Sequence, residues 1–219
     1  MEILEYIEGV VGGLGGRGPA PQFTEAHALM MLILIRDRKI GRKRLSQLLG
    51  LGEGSVRSLI KKFTSLGLVK TDRGGCFLTV KGKRVLDDLL EILEAPTPVH
   101  LDLIGQGYAL VIRGMPSPKD VITIRDNVVR HGGRGALVLY MGADGLIFPE
   151  SGDLLRNYSQ EDEVKLIQRF NLKEGDLLII GFGGEDPRII SSILAAAIDY
   201  IREVGGSRAS ELSRIDEKE

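Results

Sequence analysis

The chain has 219 residues, 43% hydrophobic and 27% charged, which is ordinary globular usage and excludes a fibrous or wholly disordered protein. Its longest unbroken apolar run, Ala28 to Ile35, is eight residues, against about 20 for a membrane span. Glu2, Glu5 and Glu8 with no early basic residue argue against a secretory leader. One cysteine, Cys76, excludes an intrachain disulfide, and with His27, His100 and His131 it leaves too few ligands for structural zinc. Together these features read as a cytoplasmic chain with no metal and no cofactor.

The net charge of −1 conceals a split. Thr24 to Arg84 carries 14 Lys and Arg against 4 Asp and Glu, a net +10; Val85 to Glu219 carries 14 against 23, a net −9. A short basic segment joined to a longer acidic one predicts two domains with different partners, the basic one suited to nucleic acid.

Residues 1–11 predict a short amphipathic helix with Ile3, Leu4, Ile7, Val10 and Val11 on its apolar stripe. Gly13 to Gly18 matches GxGxxG, but Pro19 and Pro21 prevent a helix from opening there, so a dinucleotide site is not expected and residues 12–21 read as a flexible linker. Thr24 is placed to cap a helix running to about Lys39. That helix is apolar nearly all round from Ala28 to Ile35, so it calls for cover on more than one side, one side by its own core and the other by a partner helix from the second domain or a second copy of the chain. A short helix over Arg42 to Leu49 and a turn at Gly50-Leu51-Gly52 follow. The next helix spans Glu53 to Leu66, its inward face Val56, Leu59, Ile60 and Phe63, with Gly67 at its C′ position. Leu68 to Thr71 and Cys76 to Thr79 predict a hairpin turning at Asp72-Arg73-Gly74-Gly75, and Thr79 caps a helix to about Leu93.

This order resembles a winged helix-turn-helix domain over Thr24 to Glu94. The residues that carry the resemblance are Leu48 to Arg57, the Leu66-Gly67-Leu68-Val69 exit and the Leu78-Thr79-Val80-Lys81-Gly82 entry to the last helix. The Gly52-Glu53-Gly54-Ser55-Val56-Arg57 stretch is similar to an archaeal family of uncharacterised winged-helix proteins with an unassigned C-terminal domain. The resemblance implies duplex DNA as partner, with the helix from Glu53 entering the major groove. On that basis Arg57 is expected to read guanine. Ser55 and Ser58 would contact bases or phosphates, and Lys61 and Lys62 would contact the backbone. Arg42, Lys43 and Arg44 would grip phosphate, Lys70 and Arg73 would act from the wing, and Glu53 would accept from cytosine or favour its helix N-terminus.

Pro96-Thr97-Pro98 opens the acidic half. It predicts strands over Val99 to Ile104 and Tyr108 to Arg113 around a Gly105-Gln106-Gly107 turn, then a helix from Asp120 to His131. A strand pair follows over Ala136 to Met141 and Leu146 to Phe148. Ser159 to Asn171 reads as a helix burying Val164, Ile167 and Phe170, Asp176 to Phe182 as an apolar strand, and the last helix opens at Asp186-Pro187. The expected fold is α+β, a winged helix followed by a two-layer α/β domain. Gly135 to Val138, Gly175 to Ile180 and Ile193 to Ala197 resemble the GAD domain of aspartyl-tRNA synthetases and tRNA-dependent amidotransferases, which implies a fold more than a function. The domain limits read as 1–23, 24–95, 96–205 and a polar, disordered tail 206–219.

No catalytic set stands out. His100 and His131 lack a recognisable nucleophile, Cys76 reads as a packed strand residue, and Glu161-Asp162-Glu163 reads as an acidic first helical turn. A ligand site is sketched only at the Gly181–Pro187 junction, through Gly181, Gly183, Gly184 and Asp186. The sequence therefore predicts a homodimeric transcriptional regulator that binds double-stranded DNA, is not an enzyme, and senses a small-molecule effector or dimerises through its second domain. The alternative is an RNA- or translation-linked adaptor that binds tRNA or a protein partner.

Overall fold

The computed structural model describes residues 2–12, 22–183 and 187–216. The fold is mixed α+β, and the chain divides into two compact units, Met1–Ala95 and Pro96–Glu219. The first is largely helical and the second is α/β. No helix among the described residues is long and apolar enough to cross a membrane. The linker reading for residues 13–21 lies outside the described residues.

The N-terminal unit contains α1 (Glu2–Gly12), α2 (Glu25–Leu34), α3 (Arg42–Leu49), α4 (Glu53–Ser65), the hairpin β1 (Val69–Asp72) and β2 (Gly75–Leu78), and α5 (Val80–Leu90). Local chemistry sets most of its boundaries. The α4 helix ends in a Schellman motif: Gly67 takes φ +72°, the Leu68 N–H donates to the Phe63 carbonyl at 3.0 Å and the Gly67 N–H donates to the Thr64 carbonyl at 3.0 Å. The Thr79 hydroxyl oxygen accepts from the Gly82 N–H at 2.9 Å to cap α5, while its O–H donates to the Gly67 carbonyl at 2.7 Å. Gly82 lies so close to β1 that a Cβ there would meet the Leu68 carbonyl oxygen at 2.1 Å.

Two features depart from the sequence expectation. The α2 helix ends at Leu34, not Lys39. Ile40 is drawn into a β-bridge, exchanging backbone bonds with Cys76 at 3.0 and 3.1 Å, and Arg36 Nε is held by Asp87 Oδ1 at 2.7 Å. Residues 36–39 leave the helix so that the chain can reach the hairpin. The second departure concerns what covers α2. Its Ala26, Ala28, Leu29, Met31 and Leu32 are essentially inaccessible within a single chain, and α1 packs on it with Ile3, Leu4, Ile7 and Val10 buried. The N-terminal segment is part of the first unit's core and supplies cover for α2 that the sequence reading did not assign to it.

The C-terminal unit contains β3 (Thr97–Leu101), β4 (Gly105–Ile112), α6 (Val121–Arg130), β5 (Ala136–Gly142), β6 (Gly145–Ile147), a 3-10 turn (Leu155–Asn157), α7 (Gln160–Phe170), β7 (Leu177–Phe182) and α8 (Pro187–Asp216). The strands form one antiparallel sheet in the order β3-β4-β7-β5-β6. On one face Val99, Ala109, Val111, Leu139, Leu178 and Ile180 share a core with Leu166 and Phe170 of α7. Leu177 and Ile179 alternate to the other face, where Gly181 meets Ile189 and Ile193 of α8. Both faces of the central strand therefore carry a helix, one layer more than the two-layer expectation.

The expected β3–β4 turn at Gly105-Gln106-Gly107 falls instead at residues 102–104. The Asp162 carboxylate, fully buried on α7, accepts from the Asp102 and Leu103 N–H groups at 2.9 and 3.1 Å and fixes the turn there. Glu163 is buried too, accepting from the Leu146 N–H at 2.9 Å and pairing with Arg156 Nε at 3.2 Å. Val164, expected inside, is exposed because Leu166 takes the inward position. The α8 helix continues through Gly205-Gly206 to Asp216, past the point where the sequence expects a disordered tail; glycine costs a helix only about 1 kcal/mol relative to alanine.

Candidate nucleic-acid interface

Gly41 is the N-cap of α3, and Arg42, Lys43 and Arg44 occupy its first three helical positions, all exposed. The N-terminus of a helix carries partial positive charge, so three cations there act against local stability. Glu53, the first residue of α4, offsets one of them by pairing with Arg42 at 3.5 Å. A shallow cavity of about 540 Å³ is lined by Gly41, Arg42, Lys43, Arg44, Gln47 and Glu53. A second, of about 260 Å³, runs from Arg44 to Arg38 and Lys39. A third, of about 270 Å³, lies between α3, α4 and the hairpin and includes Arg42 and Arg57.

The α4 helix buries Val56, Leu59 and Phe63 and turns Arg57, Ser58 and Lys61 outward, with Ser55 half-buried. In the hairpin, Lys70 and Arg73 are exposed. Asp72 forms an ion pair with Lys39 and its Oδ1 accepts from the Gly74 N–H at 2.8 Å. The hydrogen bond from Lys39, then that from Gly74, holds the Asp72 carboxyl below the usual carboxylate range. Lys39 Nζ also lies 4.7 Å from the Phe77 ring centroid.

Of the expected site residues, Arg42, Lys43, Arg44, Glu53 and Arg57 line these adjoining cavities, while Ser55, Ser58, Lys61, Lys70 and Arg73 lie on α4 and the hairpin without lining them. Lys62 is the departure: its ammonium donates to the Val10 carbonyl at the end of α1 and lies 5.4 Å from the Phe23 ring centroid. Its charge serves the fold, capping the negative end of a helix. Arg38 and Lys39 belong to the surface but were not singled out in the sequence; the signal available was the basic run around Arg42, which the overlong α2 helix hid.

The sketched ligand junction fares differently. Gly181 is packed, since a Cβ there would meet Ile193 Cγ2 and Ile189 Cγ2 at 2.7 and 2.8 Å, and Gly183 lies against Arg134. Gly184 and Asp186 lie outside the described residues. Cys76 is buried, its thiol donating to the Ile40 carbonyl at 3.1 Å, and burial pushes its pKa up. No group of three or more metal-ligating side chains occurs among the described residues.

The class these features define is a two-unit chain, helical with a cationic surface at one end of the sequence and α/β at the other. Residues 25–84 match the model of the PH0730-like N-terminal domain, and residues 104–200 match that of a domain of unknown function, DUF4443. Among solved structures the chain is similar to hypothetical protein PH0730 from Pyrococcus horikoshii OT3, with 29% sequence identity and a TM-score of 0.69, over 83% of this chain and 95% of that one. No curated protein matches.

Proposed function

We propose that the N-terminal unit is a winged helix-turn-helix that binds duplex DNA, and that the chain is a transcriptional regulator. The observation that carries this reading is the trio Arg42, Lys43 and Arg44 at the positive end of α3, continued by Arg38, Lys39 and Arg57 in the adjoining cavities. Cations at a helix N-terminus do not serve the fold; they suit a polyanion, whose phosphates both the charges and the helix end attract. Their spread over residues 38–44 and α4 suits an extended backbone better than one small anion. The outward side of α4, with Ser58 and Lys61, is the part offered to a major groove.

The acidic α/β unit, in this reading, associates with a second copy or answers an effector. At the β7–α8 junction Gly181 packs against Ile189 and Ile193 of α8, and an effector there would have to use the residues that follow it. The test is binding of the full chain to labelled duplex DNA with tRNA as competitor. Preference for duplex DNA supports the reading, and preference for tRNA replaces it with the adaptor role.

A further inference from the structure

We propose that Arg42 and Arg57 form a two-arginine clamp for a single phosphate at the base of the β1–β2 hairpin. The proposal rests on the DNA-binding reading and deepens it. Arg42 opens α3 and Arg57 lies in the second turn of α4, yet both line the same cavity of about 270 Å³, along with Ile60, Thr71, Asp72 and Cys76. Two guanidinium groups at one cavity repel each other unless an anion lies between them. Phosphate meets that need, and its oxygens match the planar arginine fork. A guanine edge carries no net charge and does not offset the repulsion, so Arg57 is better placed for backbone than for the base readout expected from sequence.

The rest of the lining agrees. The Asp72 charge is offset by Lys39, and its Oδ1 is engaged by the Gly74 N–H. The Cys76 thiol is occupied by the Ile40 carbonyl, and Thr71 is a further polar residue of the lining. Glu53 meets Arg42 through Nε at 3.5 Å, with both side chains about half exposed, a loose pair that a phosphate can compete with.

The test compares the salt dependence of duplex binding for the full-length protein, Arg42→Ala, Arg57→Ala and the double variant. The slope of log K against log salt counts phosphates neutralised, at about 0.9 each. A clamp in which neither arginine holds the phosphate alone predicts that each single variant lowers the slope by about 0.9 and that the double variant lowers it no further. An additive loss of about 1.8 means two separate phosphates and overturns the clamp while leaving DNA binding intact. Arg57→Lys keeps the charge without the fork, so it should keep the slope and weaken binding; unchanged affinity contradicts the clamp.

A second arm uses inorganic phosphate and the arginine Nε–Hε NMR signals, and it stands even if no duplex binds. Arg42 and Arg57 should shift with one midpoint, and Arg57→Ala should abolish the Arg42 response. Silence of either signal, or an Arg42 response that survives Arg57→Ala, overturns the clamp. Coupled shifts without duplex binding uphold it and reject DNA as its source of phosphate.

Discussion

Lys62, on α4, donates a hydrogen bond to the carbonyl oxygen of Val10 at the end of α1. This bond ties the N-terminal helix to the body of the first unit and withdraws one lysine from the cationic surface. Lys62→Met keeps much of the stem against Phe23 but loses the charged cap, so it should lower stability by about 1–2 kcal/mol. It should leave the salt dependence of DNA binding unchanged. Denaturant unfolding and a salt titration of the same variant check both halves.

The α1 helix should be essential to the first unit. Ile7 is completely buried beside Leu4 and Val10, and Ile7→Ala should cost about 2–5 kcal/mol. Removal of residues 2–12 should bare the apolar side of α2 and cause self-association in sedimentation. An intact, monomeric and equally stable truncated chain would show that α1 is dispensable.

Gly82→Ala should be among the most damaging single changes in the first unit. The added Cβ would meet the Leu68 carbonyl oxygen at 2.1 Å, and backbone must move to admit it. A loss of about 1–3 kcal/mol or more is expected. Thermal unfolding of the variant reads the effect directly; an unchanged melting temperature would contradict the close approach of α5 to β1.

The pH dependence of the hairpin follows from Asp72. Its carboxyl is held down first by the hydrogen bond from Lys39 and then by the Gly74 N–H. A depressed folded-state value means that the group's stabilising contribution is fully present above its unfolded value, about 3.9. That contribution is lost as pH falls through the lower folded value. Carboxyl NMR titration should find Asp72 below the ordinary range, and Lys39→Met should move it back up.

What was legible in the sequence was local. Gly67 ends α4 and Thr79 caps α5 because the residues that satisfy those backbone groups lie within a few positions. What was hidden depended on partners far along the chain. Lys62 finds a carbonyl 52 residues away, and Ile40 finds Cys76, which is why α2 stops early. The apolar stripes of α1 and α2 were both visible, but a stripe does not name its partner. Asp162 and Glu163 had the composition of an acidic first turn, while their burial arises from backbone N–H groups on β3–β4 and β6. Of the candidate interface, the cations were legible as a cluster; the cleft that joins Arg42 to Arg57 depends on how the hairpin packs against α3 and α4.

The central claim is that the surface around the start of α3 holds duplex DNA. The most direct measurement is anisotropy of a labelled duplex with full-length protein between roughly 50 and 200 mM salt, repeated with Arg42, Lys43 and Arg44 all changed to alanine. The account predicts a linear fall of log K with log salt for the unaltered protein, and a slope shallower by roughly 2–3 in the triple variant. Binding that is absent at low salt, or a triple variant with the slope of the unaltered protein, would contradict it.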